Sequence, residues 1–253
     1  MNTIAIIGYG HLGKALKRGL LRSGVQKELI FVANNQKATK KVVSSSDIIF
    51  LTVKPKVVHE VVYSIKDLIS DKLLISAAAA VSVSQIKKSS GNKNLKIIRI
   101  MPNIPIAYQS GVIGLYANSY VLPTEKKKIV RILAALGSVI ECKKESELDA
   151  FTVLGGSGPA IAAFCIMLLI KAGKKLGLSK QVSEQIALQT CKGTITVLQE
   201  SRQTAQELQQ SVATKGGVTD SILQHLHEQK IEQQFVESLE LGYDKIKRIK
   251  TAL

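Results

Sequence analysis

Thr3-Ile4-Ala5-Ile6-Ile7-Gly8-Tyr9-Gly10-His11-Leu12-Gly13 is the stretch that decides the fold of this chain. A β-branched run, Thr3–Ile7, breaks into glycines spaced G-x-G-x-x-G. Leu12, Leu16 and Leu20 then recur four apart, as one face of a helix over Leu12–Arg22. Strand, glycine turn and helix in that order turn a weak glycine pattern into a dinucleotide-binding signal. The glycines let the backbone approach a pyrophosphate, and the helix start offers it free N–H groups and partial positive charge. A coincidental glycine-rich turn is the competing reading, and both flanking elements weigh against it. The stretch points to a cofactor and says little about a reaction.

Outward from it, Leu29–Ala33, Ile48–Val53, Leu73–Ser76 and Ile97–Met101 read as further strands. They are apolar almost throughout, as strands covered on both faces must be. Alternation with amphipathic helices and short connections predicts a doubly wound parallel sheet of Rossmann type. Beyond about residue 124 the pattern becomes helical: Glu125–Leu136, Pro159–Leu176, Val182–Glu200, Ala205–Val212, Asp220–Gln229 and Ile231–Ile249. The expected class is α/β, with an NAD(P)-binding domain over residues 1–150 and an all-α domain over residues 151–253. The break falls between about residues 140 and 160.

Composition excludes several function classes. The 253 residues carry a net charge of +16, most of it in residues 1–150, which hold 23 basic and 10 acidic side chains. The lysines are scattered in twos and threes, and aromatic residues make up only 4%, so no stacking surface or recognition helix for nucleic acid accompanies them. They read as solvated faces that attract small anions. The longest apolar run, Ala160–Ile170, is far below the ~20 residues that span a bilayer, so no membrane segment is expected. The amino terminus has no signal-peptide pattern, and three cysteines without a C-x-x-C pair read as reduced thiols in a cytoplasmic protein. The Pro159–Ile170 helix is apolar nearly all round and must be buried on every side. A second copy is the simplest cover, which predicts a homodimer; a core helix of a monomer is the alternative.

Other motifs lie where ligands of open α/β sheets bind, at the carboxyl ends of strands. Val32-Ala33-Asn34-Asn35-Gln36-Lys37, followed by Lys40 and Lys41, has no acid to repel a 2′-phosphate, which favours NADP over NAD. Thr52-Val53-Lys54-Pro55, Ser76-Ala77-Ala78-Ala79-Ala80 and Met101-Pro102-Asn103 end three further strands, each alone no more than a strand-end turn. Gly155-Gly156-Ser157-Gly158-Pro159-Ala160 and Lys215-Gly216-Gly217-Val218-Thr219 put glycines before helix starts. Their N–H groups could receive a carboxylate. Spacing alone favours ordinary capping, by Ser157 and Thr219. His11, His59, His225 and His227 show no metal-ligand or triad spacing, and no metal is expected.

In combination and in order, Gly8–Gly13, Val53-Lys54-Pro55, Ile75-Ser76 with the alanine run, Arg99-Ile100-Met101-Pro102-Asn103, Gly156-Ser157-Gly158-Pro159-Ala160, Leu176-Gly177-Leu178 and Gly216-Gly217-x-Thr219 resemble the pyrroline-5-carboxylate reductases. The resemblance covers essentially the whole chain. It implies a Rossmann domain plus an all-α dimerisation domain, and reduction of the cyclic imine 1-pyrroline-5-carboxylate to L-proline by NADPH, with NADH as the alternative. It implies a homodimer and leaves open a higher oligomer of dimers.

By the same resemblance Ile7, Gly8, Tyr9, Gly10, His11, Leu12 and Gly13 would cradle the pyrophosphate, with Asn34 and Gln36 at the adenosine ribose and its 2′-phosphate. Thr52, Val53, Lys54, Pro55, Ala77, Ala78 and Ala79 would flank the nicotinamide and its ribose, and Asn103 would also bind the cofactor. Glu145, Ser211, Gly216, Gly217, Val218 and Thr219 would hold the substrate, with the Thr219 hydroxyl toward the ring nitrogen as the catalytic group. The chain departs from the family in a short stretch between Asn34 and Asp47. Ala80 stands for glycine, Lys215 for proline, Val218 for threonine or alanine, Ser211 for a larger residue and Met167 for an acid. A related imine or oxo-acid reductase, or a weakly catalytic NADP-binding paralogue, are the other readings these departures suggest.

Overall fold

The five apolar runs pair in the computed structural model, which describes residues 2–252. β1 (Ile4–Ile7), β2 (Ile30–Ala33), β3 (Ile48–Leu51), β4 (Leu73–Ser76) and β5 (Ile97–Pro102) join β6 (Gly111–Ala117) and β7 (Gly137–Glu141) in the order β2-β1-β3-β4-β5-β6-β7. β1 lies between β2 and β3 with Ile4 level with Ile30 and Ile48, so the Gly8 turn leaves the carboxyl edge where the strand order reverses. Every residue of β1, β3 and β4 is buried. Their alternate side chains feed two cores, one around Ile6, Phe50 and Ile75, the other around Ile7, Ile49 and Leu74. That two-sided burial is why these strands read as unbroken apolar runs.

The sheet is not wholly parallel. β6 runs antiparallel to β5, and β7 is parallel to β6. Both escape a reading by apolar runs, because glycines interrupt β6 and β7 has no fully buried residue. Helices α1 (His11–Arg22), α2 (Gln36–Ser44), α3 (Val58–Ser64), α4 (Val83–Ser90) and α5 (Pro123–Ala134) belong with the sheet. α2, α3 and α4 are only 9, 7 and 8 residues long, too short for a helical period to show.

Beyond the sheet follow α6 (Glu147–Phe151), a π-helical turn Thr152–Gly156, α7 (Gly158–Lys175), α8 (Lys180–Glu200), α9 (Ala205–Val212), α10 (Val218–Glu228) and α11 (Ile231–Thr251). The chain divides into two compact units. The sheet unit holds the residues through Pro159 and those from Gly242 on; the helical unit is Ala160–Leu241. The last turns of α11 thus belong with the sheet. Ile246 is buried there, and Lys250 pairs with the buried carboxylate of Asp149 on α6.

In the helical unit α7 and α8 meet where Gly173 faces Ser183; a Cβ on Gly173 would come 2.7 Å from the Ser183 Oγ. α7 has no buried residue in the single chain, and Phe164, Leu168 and Leu169 are about half exposed. Counted through the π turn, the helical run Glu147–Lys175 is 29 residues and is long and apolar enough to cross a membrane. The apolar run Ala160–Ile170 stays short of a span; the greater length comes from counting the π turn and α6 with α7, on the amino side of Pro159.

Candidate active site

The Gly8–Gly13 turn closes on itself so tightly that only glycine fits at two of its positions. Gly8 adopts φ +92°, and a Cβ there would lie 2.7 Å from Val53 Cγ1. A Cβ on Gly13 would run into the Gly8 carbonyl oxygen and come 2.9 Å from Thr52 Oγ1. Gly10 opens α1 without a side-chain cap, and its carbonyl accepts the first helical bond, from Lys14 N–H at 3.0 Å. The N–H groups of His11, Leu12 and Gly13 therefore face out of the helix end with no acid in the first turn. Lys14 and Lys17 lie 5.8 and 5.7 Å from the Tyr9 ring centre, which holds two cations beside this end. The result is a built anion cradle.

Thr52, expected beside a nicotinamide, turns its hydroxyl into this cradle. Its Oγ1 lies 2.6 Å from the Gly8 carbonyl oxygen and 3.1 Å from that of Ile7. Thr52→Val keeps the shape and takes the hydroxyl donor from the Gly8 carbonyl, while the Ile7 carbonyl keeps the Thr52 backbone N–H. It should weaken NADPH binding about tenfold, at the ~1–1.5 kcal/mol of a lost hydrogen bond, while Thr52→Ser binds as the parent does. Fluorescence titration with NADPH checks this, and a Val variant as tight as the parent would remove Thr52 from the cradle's support.

Next to the cradle is a cavity of about 210 Å³ lined by Gly8, Asn34, Gln36, Thr39, Val53 and Glu60, among others. Asn35 caps α2, its Oδ1 accepting from Ala38 N–H at 2.9 Å. Glu60 corrects the expectation of an acid-free adenosine end: α3, invisible in the sequence, brings a carboxylate from a distant position to the same cavity. On the other side Ala77 and Ala78 are buried at the end of β4, and Ala80 sits in the left-handed region at φ 63°. Lys54 precedes a short turn, Pro55–Val57, and is exposed. Asn103, expected to meet the cofactor, has both ends of its amide engaged within the sheet unit. Its Nδ2 donates to the Gly155 carbonyl at 3.1 Å and its Oδ1 accepts from Val112 N–H at 3.0 Å, so it stitches β6 and the π turn to the end of β5.

Glu145, expected beside the substrate, has its Oε1 bound at 2.8 Å to Nη1 of Arg99, a fully buried side chain, and at 2.7 Å to the N–H of Val83. Sequence reading placed Arg99 in a motif and assigned it no role; a lone arginine inside an apolar strand was the available signal.

In the helical unit Gly217 is the N-cap of α10, with no side-chain bond, and Thr219 lies inside its first turn. The expected capping by Thr219 is therefore corrected, and so is that by Ser157, whose hydroxyl donates to the Thr152 carbonyl at 3.4 Å. Gly216 N–H is taken by Asp220 Oδ2 at 2.8 Å and Gly217 N–H by the Thr214 carbonyl at 2.9 Å. A ligand carboxylate is left with the N–H groups of Val218 and Thr219, which the helix geometry leaves open. Val218 is exposed, and Ser211 on α9 donates to its own helix at Leu208, 2.8 Å away.

Residues 145–249 match the family described as pyrroline-5-carboxylate reductase dimerisation, and residues 3–80 match that described as NADP oxidoreductase, coenzyme F420-dependent. Pyrroline-5-carboxylate reductase 2 of Bacillus subtilis is 30% identical over 260 residues, covering 95% of this chain and 92% of that protein. The pyrroline-5-carboxylate reductase of Corynebacterium melassecola is 28% identical, covering 97% of each. A Plasmodium falciparum pyrroline carboxylate reductase solved with NADP bound superposes with a TM-score of 0.92 at 28% identity, over 98% of both chains.

Proposed function

The chain belongs to the pyrroline-5-carboxylate reductase family, and from that premise we propose how its own residues carry the reduction of 1-pyrroline-5-carboxylate to L-proline. Bound NADPH supplies the hydride. The cradle of Gly8 and Gly13 beneath Thr52 carries the reading, because it accepts a pyrophosphate and rejects a side chain. Asn34 and Gln36 hold the adenosine ribose. The cations Lys37, Lys40 and Lys41 on α2 favour the 2′-phosphate and therefore NADPH, and Glu60 moderates that preference. Val53, Lys54, Pro55 and Ala77–Ala79 flank the nicotinamide.

The open N–H groups of Val218 and Thr219, at the positive end of α10, receive the substrate carboxylate. Gly216 and Gly217 shape that turn, and Ser211 stands at its side. The Thr219 hydroxyl faces the ring nitrogen. As hydride adds to the imine carbon, the C=N π pair collapses onto that nitrogen, which takes up one proton; the Thr219 hydroxyl passes that proton on and regains one from solvent water.

A second copy of the chain covers the apolar face of α7 in a homodimer, which keeps the Glu147–Lys175 helix out of a bilayer. Cys142, Cys165 and Cys191 form no disulfide, which suits a cytoplasmic enzyme.

Oxidation of NADPH and of NADH in the presence of pyrroline-5-carboxylate, with proline identified as product, tests the assignment. Turnover is expected with both and faster with NADPH; no proline with either overturns it. Thr219→Val should lower kcat about a hundredfold, the usual contribution of one positioned proton donor, and Thr219→Ser should restore most of it. Full activity in the Val variant would remove Thr219 from the chemistry.

A further inference from the structure

The segment Ala77–Ser82 links β4 to α4 and carries the strained residue of the site. Ala80 holds φ 63° although it has a Cβ. Such a conformation persists only where its surroundings fix it. On the strand side, Ala77 N–H donates to the Leu51 carbonyl at 2.9 Å. On the helix side, Ser82 N–H donates to Gln85 Oε1 at 2.8 Å, and Gln85 N–H returns the bond to Ser82 Oγ at 3.2 Å.

A third constraint spans both ends. Arg99 lies level with Ser76, the last residue of β4, and is 1% exposed. Its Nη1 donates to Glu145 Oε1, and the same oxygen accepts from Val83, the first residue of α4. One carboxylate oxygen therefore ties the strand beside Ser76 to the helix that follows Ala80. Drawing Glu145 toward a substrate would strand Arg99, whose Nε already has no partner, as an unpaired buried cation.

We infer that Glu145 is a positioning residue for the nicotinamide end of the cofactor, acting through Arg99 and the start of α4 rather than by touching substrate. The inference rests on the reading that Ala77–Ala79 flank the nicotinamide.

Val83→Pro isolates the bond. Proline is at home in the first position of a helix, and Ser82, at φ −79° and ψ 159°, already has the backbone that precedes proline. The variant removes the N–H that Glu145 accepts, exchanges the buried Val83 side chain for an apolar ring of similar size, and leaves the Arg99 pair intact. Its Kd for NADPH, by fluorescence titration, should rise about tenfold, as expected for loss of one charge-assisted hydrogen bond. Its Kd for adenosine 2′,5′-bisphosphate, which lacks the nicotinamide, should match the parent's, and KM for pyrroline-5-carboxylate should stay within about twofold. Glu145→Gln should move the same constants in the same direction; if that variant does not fold, Val83→Pro decides.

Equal loss for NADPH and the bisphosphate overturns the inference, as does an unchanged NADPH Kd. A rise confined to the substrate KM of Glu145→Gln overturns it in favour of direct substrate contact. In each case a parent that binds NADPH and makes proline leaves the reading of the site standing. A parent that binds no NADPH removes both.

Discussion

Gly13→Ala is expected to abolish useful NADPH binding, raising Kd about a hundredfold or more, as overpacking of an immobile contact costs ~1–3 kcal/mol before the ligand's own losses are added. The new Cβ would run into the Gly8 carbonyl oxygen and sit 2.9 Å from Thr52 Oγ1. Neither can retreat. Gly8 N–H is bound to the Ala33 carbonyl of β2 at 2.8 Å, and Thr52 N–H to the Ile7 carbonyl of β1 at 2.8 Å. The start of α1 must shift instead, and its open N–H groups go with it. Gly10→Ala is the informative contrast, because a Cβ there meets no protein atom within 4 Å. Its stability should equal the parent's, so any loss of affinity reports the approach of the cofactor itself. Titration with NADPH beside thermal unfolding separates the two, and a Gly13→Ala variant that binds normally would show that the cradle is not the site.

Lys250→Ala should cost about 3 kcal/mol of stability, the lower end for breaking a buried pair, because the lysine side chain is 31% exposed while Asp149 is 8% exposed. The Asp149 carboxylate is enclosed under the last turns of α11, and its Oδ1 has no hydrogen-bond partner. Without Lys250 a buried negative charge is left without its counter-ion. The unfolding midpoint should fall by about 10 °C at the usual ~2–4 °C per kcal/mol for a chain of this size. Asp149→Asn combined with Lys250→Ala should recover part of it, since the neutral amide no longer needs the cation. Midpoints within a degree of the parent for the single variant would show that the pair does not anchor the last turns of α11.

The cofactor half of the site was legible because its chemistry is local. Gly8, Gly10 and Gly13 act through the backbone of one turn, so their spacing already implies the cradle, and Thr3–Ile7 implies the strand that presents it. Asn34 and Gln36 follow directly from the end of the second strand and do reach the cavity. What sequence left out is long-range. Glu60 arrives on a helix too short to show a period, the Thr52 hydroxyl bonds to the Gly8 carbonyl, and Asn103 bonds to Gly155 and Val112. An amide or hydroxyl shows its type in sequence and not its direction.

Burial on both faces writes itself into sequence as unbroken apolar strands, and a glycine turn writes itself as spacing, so the parallel sheet, the helical second half and the dinucleotide cradle were determined by the residues alone. The antiparallel β6 and the half-exposed β7 were decided by the tertiary structure, because glycines interrupt β6 and the edge strand β7 needs no continuous apolar run. So were the pairing of Asp149 with Lys250, 101 positions apart, and the bridge from Glu145 to Arg99 and Val83. A buried charge must find its partner, and only the folded chain determines which distant residue can reach it.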